Sequence, residues 1–154
     1  MTTRGREFSI SVRAAGSYRQ ALPDLREALK RNRFEILSEF TLDRELERKA
    51  GSPCEHCTVF VVWSPTDAYK ALFSDRDGAL LVPFNLCVSE DGGSVFVAAT
   101  NHYGTQSTRL APIGIQSLLC DLARRIHLVL AELATQEADS KEDSAMQPKE
   151  SYGL

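Results

Sequence analysis

The chain has 154 residues, 43% of them hydrophobic and 25% charged, with a formal net charge of −3. That size and composition suit one domain with its own core, and the acidic balance argues against a nucleic-acid partner, which would need clustered basic residues. No stretch approaches the roughly 18 consecutive apolar residues of a spanning helix, and the first seven residues lack the apolar centre of a secretory signal, so a cytoplasmic protein with no membrane partner is expected.

Residues Glu7–Arg13 alternate, with Phe8, Ile10 and Val12 on one side, which predicts a half-buried strand. Beyond Gly16, Ser17 and Gln20 have the spacing of a capping box. Tyr18, Ala21, Leu22, Leu25 and Leu29 then form one helical stripe reaching Asn32. Pro23 leaves two starts open: a distorted first turn, or a regular helix beginning nearer Leu22. Phe34–Leu42 predicts a second strand, paired with the first, with Phe34, Ile36, Phe40 and Leu42 on one parity. Asp43–Ala50 reads as a short charged surface helix stopped by Gly51, and Cys57–Trp63 as a central strand, apolar on both faces.

Ser64-Pro65-Thr66-Asp67 is a helix start: Ser64 can cap, Pro65 suits the first helical position, and Asp67 favours the positive end. Ala68, Leu72 and Phe73 supply its expected buried side. Phe84–Glu90 and Ser94–Thr100 read as a hairpin closed at Asp91-Gly92-Gly93. Ile115, Leu119, Leu122, Ile126, Val129 and Leu130 mark a long amphipathic helix between Pro112 and Ala134. Beyond it, the charges of Gln136–Leu154 sum to −3 in a segment with few large apolar groups. A single α+β domain over 1–135 and a disordered polar tail over 136–154 are expected. The expected fold class is α+β, a five-stranded mainly antiparallel sheet with two or three helices packed mainly on one face.

Ser64-Pro-Thr-Asp-Ala-Tyr-Lys-Ala-Leu72, followed by Gly78-Ala-Leu-Leu-Val-Pro83 and the Val-rich hairpin with Asp91-Gly92 at its tip, resembles the domain of unknown function 302 family over roughly Phe8 to Thr100. The resemblance implies a compact α+β fold similar to the TATA-binding-protein-like architecture, and it brings no established catalytic residues. Where members often carry a cysteine and a basic residue after the Leu-Leu-Pro, this chain has Phe84 and Asn85, and Cys54-Glu-His-Cys57 looks like a local addition.

That Cys54-Glu55-His56-Cys57 run is the constellation with chemical character. Two thiols at this spacing can take adjacent corners of a tetrahedral zinc, with His56 as a further ligand. A closed site needs four ligands, and Cys87, Cys120, His102 and His127 form no second pair of this kind. A redox pair and two unliganded thiols are the other readings. Because the motif runs into a strand, it lacks the helix dipole that acidifies a thioredoxin-type thiol. Cys87 and Cys120 are expected to be buried and inert. His102 follows the last strand in a loop, and His127 lies beside the apolar stripe of the final helix, where a partly buried, hydrogen-bonded ring or one at an interface is expected. No glycine-rich phosphate loop is present.

Both faces of the central strands are apolar, Phe60 and Val62 alternating with Val59, Val61 and Trp63, and Val95 and Val97 with Phe96 and Ala98. If helices cover one face, the other is expected to meet a second copy of the chain or a small apolar ligand. Phe60, Val62, Val95, Val97 and His102 are the candidate ligand-binding residues. The leading expectation is a non-catalytic small-ligand or partner binding module that forms a homodimer or other homo-oligomer. The alternative is a metal- or redox-active protein using Cys54, His56 and Cys57, with zinc as the expected metal.

Overall fold

The computed structural model describes residues 4–6, 8–101 and 110–135. His102 and the expected tail from Gln136 onward lie outside the described residues. In chain order the elements are β1 (Arg4–Gly5), β2 (Ser9–Arg13), α1 (Tyr18–Arg31), β3 (Glu35–Thr41), α2 (Leu42–Ala50), β4 (Cys57–Trp63), α3 (Pro65–Ser74), a 3-10 turn (Arg76–Leu81), β5 (Phe84–Asp91), β6 (Ser94–Thr100) and α4 (Ile113–Leu133). The strands form one antiparallel sheet in the order β1-β2-β6-β5-β4-β3, five full strands with the two-residue β1 added at one edge. This is an α+β fold.

The capping box forms: the Ser17 hydroxyl accepts from the Gln20 N–H, and the Gln20 side chain accepts from the Ser17 N–H. The helix therefore starts at Tyr18. Pro23 falls on its exposed side, where the carbonyl of exposed Arg19, deprived of a helical donor, can turn to water. Leu25, Ala28 and Leu29 of α1 and Ile115, Leu119, Leu122, Ile126 and Val129 of α4 bury against Val12, Phe60, Val62, Leu86, Val88 and Val97 of the sheet. Helix α3 packs beside α4, and α2 follows β3 at the end of the sheet, beside β4. The hairpin turns through Gly92 and Gly93 at φ 56° and 80°, with Asp91 paired to Ser94, a backbone that glycine adopts at no steric cost.

One buried cation ties the helical layer together. Arg125 of α4 pairs with Asp67 of α3, donates to the carbonyls of Asn32 and Arg33 after α1, reaches the Ser64 hydroxyl, and stacks 4.5 Å over the Phe34 ring. Ser64 makes no side-chain cap of α3; its hydroxyl serves Arg125. Asp67 is spent on the ion pair as well as on the helix end.

Several sequence expectations change. The strand over Glu35–Thr41 does not pair with β2: it lies at the opposite edge, against β4, while β2 pairs with β6. A register shift between Ile36 and Ser38 makes Leu37 the extra residue of a bulge. Ile36 stands opposite Val62 on the helix side, whereas Phe40 stands opposite Val59 on the far side, so the single parity of the strand is broken. On α3 the buried side is Ala68 and Ala71, while Leu72 is exposed and Phe73 is 84% exposed.

The candidate ligand-binding set also moves. Phe60, Val62, Val95 and Val97 are buried under the helices and cannot meet a ligand on the far face. The far face is made by their neighbours in the alternation, Val59, Val61, Trp63, Cys87, Phe96 and Ala98, all half-buried. Position 84 is likewise a core position here, where the Phe84 ring meets Phe34 edge-on at 6.4 Å.

Candidate functional site

Three segments distant in sequence meet at one end of the sheet: the first turn of α1, the first turn of α2, and the approach to β4. Between them lies a cleft of about 540 Å³ lined by Tyr18, Arg19, Thr41, Asp43, Arg44, His56, Thr58 and Glu90. Tyr18 is there because the capping box starts α1 at that residue. Asp43 is there because α2 follows β3 without a connecting loop, which turns its first-turn carboxylate inward. Thr58 is the polar member of the helix-side parity of β4, and it is buried.

The polar atoms are tied to one another. Asp43 is buried; its Oδ1 accepts from the Cys57 N–H at 3.0 Å, and its Oδ2 lies 3.3 Å from His56 Nδ1. Burial alone would push the Asp43 carboxyl up. The Cys57 N–H, the His56 ring and its own backbone N–H outweigh that effect and hold it below the ordinary carboxylate value. The Tyr18 and Thr58 hydroxyls share a hydrogen bond of 2.5 Å, and the Tyr18 ring stacks on His56 with centroids 5.0 Å apart. Burial raises the Tyr18 hydroxyl above its ordinary value, the Thr58 bond offsets this in part, and the Asp43 charge adds to the rise. His56 stays largely open to solvent, its side chain 62% exposed, with one edge on the carboxylate and one face on the tyrosine. A carboxylate-oriented imidazole beside an ordered hydroxyl pair can bind a polar guest with defined geometry.

Cys54, His56 and Cys57 do not converge on one point. Cys54 is exposed in the loop before β4, its thiol pushed up by partial desolvation and the Asp43 charge. His56 turns toward Asp43, and the Cys57 sulfur points to the far face, 3.2 Å from the Cys87 sulfur on β5. Among the described residues, no group of three or more His, Cys, Asp or Glu side chains is placed to hold a metal ion. Burial first, then the Cys57 sulfur, pushes the Cys87 thiol up to about 12. Cys87 is half-buried and Cys120 is exposed on α4, so neither has the buried place expected for it. His127 is exposed too, its Nδ1 2.8 Å from the Ala123 carbonyl one turn back in the same helix.

Of the cleft residues, sequence reasoning singled out only His56 for its chemistry, and for metal ligation. It placed Tyr18 in a packing stripe and Asp43 on a surface helix. The one available signal was Thr58, a lone hydroxyl in an otherwise apolar strand.

None of the curated proteins matches the chain. No helix among the described residues is long and apolar enough to cross a membrane. Among solved structures, the crystal structure of an uncharacterized conserved DUF302 protein from Bacillus stearothermophilus is similar at a TM-score of 0.71 and 18% identity, over 82% of this chain and 98% of that one. At that identity the likeness is one of fold. The sequence pattern of the Domain of unknown function DUF302 matches residues 10–133, which run from β2 to the last turn of α4. The chain therefore belongs to the DUF302 family.

Proposed function

We propose that this protein is a non-catalytic binding module for a small polar molecule with an anionic group, held in the cleft between α1, α2 and β4. The observation that carries the reading is the convergence of Tyr18, Asp43, His56 and Thr58 on one concavity, with their polar atoms already bonded to one another. A guest would find these groups pre-set and lose little to ordering them. Arg19 and Arg44 frame the rim, and among the described residues neither has an ion-pair partner, so both are available to an anionic group. Binding is favoured over catalysis because the hydroxyls that a His–Asp pair could activate are bonded to each other, and that of Tyr18 is pushed away from ionisation.

Native mass spectrometry of the full chain, purified without denaturation, tests this directly. A retained small molecule is expected. An Arg19→Ser/Arg44→Ser double variant is expected to hold it at least about tenfold more weakly, as loss of a charge-assisted hydrogen bond of about 1.5–3 kcal/mol implies. A bare wild-type protein whose Tyr18 and Thr58 amide resonances also ignore a panel of small carboxylates and phosphates would refute the proposal.

A further inference from the structure

On the opposite face of the sheet, independently of the cleft, Cys57 and Cys87 stand as diagonal neighbours on β4 and β5. Cys57 pairs with Ser89 and Cys87 with Val59, and the Thr58–Val88 pair lies between them. Both side chains are half-buried, and their sulfurs approach to 3.2 Å. We propose that Cys57 and Cys87 form a thiol–disulfide exchange site whose oxidant is a low-molecular-weight disulfide. The sulfurs need to close by only about 1.2 Å to reach the roughly 2.05 Å of an S–S bond. Side-chain rotation supplies part of that movement, and a small approach of the two strands supplies the rest.

The register also sets the character of the bond. Diagonal neighbours are separated by about 7–8 Å between Cα atoms, at or beyond the span of a relaxed disulfide. A bridge across that diagonal is therefore readily reopened, which suits exchange better than permanent cross-linking. The surroundings on this face are uncharged in the centre, with Val59, Ser89, Phe96 and Ala98 beside the two sulfurs.

The exchange runs in two steps. Cys57 stands at the start of β4, beside the exposed loop over residues 51–56, so a small disulfide reaches it first and Cys57 opens the reaction. After giving its proton to solvent, the Cys57 sulfur attacks one sulfur of the small disulfide. The S–S bond of that molecule breaks, and its first thiolate leaves and takes up a proton. The Cys87 thiol then gives its proton to solvent, its thiolate attacks the Cys57 sulfur of the mixed disulfide, and the second thiolate leaves and takes up a proton. Two protein thiols become one disulfide, and the small disulfide takes the two electrons and becomes two thiols.

The test equilibrates the reduced full-length protein with mixtures of oxidised and reduced glutathione, quenches in acid, alkylates the remaining thiols, and maps the peptides by mass spectrometry. A Cys57–Cys87 linkage that grows with the oxidised fraction and reopens in excess reduced glutathione is expected. Cys54→Ser and Cys120→Ser should leave that titration unchanged, and Cys87→Ser should trap a glutathione adduct on Cys57. The inference is overturned if both thiols still alkylate in excess oxidised glutathione, if the bridge joins Cys54 to Cys57, or if excess reduced glutathione cannot reopen it.

Discussion

Asp43 shows how one side chain can couple the site to stability. Its carboxyl is held below the ordinary value in the fold, so as pH falls the unfolded chain takes up this proton first. The stabilisation is complete above about pH 5 and is lost as pH drops through the ordinary carboxylate value near 4 and below. An Asp43→Asn variant is expected to show a flatter dependence of the urea midpoint on pH below 5 than the wild type. Parallel curves would mean that Asp43 does not carry this acid limb. Arg125 is the second residue with disproportionate weight. Its removal leaves the Asp67 carboxylate buried without its ion pair and leaves the Asn32 and Arg33 carbonyls without this donor. Arg125→Met should cost about 3–5 kcal/mol in urea unfolding, and an Arg125→Met/Asp67→Leu double variant should recover part of it. A single variant within about 1 kcal/mol of wild type would contradict the buried-pair assignment.

At the element scale, alternation is informative only while the ladder stays in step. In β4 and β6 it does, and every second residue is buried; in β5 the same alternation runs from Phe84 to Val88. In β3 one extra residue at Leu37 exchanges the faces partway along, sending Ile36 inward and Phe40 outward. Glu39 then falls on the helix side, where it makes a bidentate ion pair with Arg26 of α1, whose guanidinium also lies 5.9 Å over the Phe60 ring. The two faces can be told apart by truncation. Phe60→Ala, fully buried beneath α1, should cost about 3–5 kcal/mol, and Phe40→Ala, 42% exposed, less than about 1. Equal costs in chemical denaturation would invert the assignment. Helix α3 teaches a related lesson: its large apolar residues suggested the buried side, but the small ones, Ala68 and Ala71, are the buried ones.

For the whole molecule, the order β1-β2-β6-β5-β4-β3 makes β5 and β6 the middle of the sheet and leaves β3 at an edge beside α2. Native-state hydrogen exchange should find the slowest amides in β4, β5 and β6 and faster ones in β3, because edge strands open without disturbing the core. Protection spread evenly over all strands would argue against this order. The existence and approximate limits of α1, α4, β4 and the β5–β6 hairpin, together with the α+β class, were determined by the amino-acid sequence itself. Each rests on a short-range signal, a helical stripe, an unbroken apolar run, a capping box or a Gly-Gly turn, that needs no distant partner. Which strands pair, which face of the sheet is covered, and which side chains share a site were decided only in the tertiary structure. Tyr18, Asp43 and Thr58 are brought together by the packing of α1 and α2 against β4, and Cys57 meets Cys87 through the β4–β5 register rather than its sequence neighbour Cys54. The physical reason is that local periodicity describes a few neighbouring residues, whereas these meetings depend on how whole elements bury their apolar faces against one another.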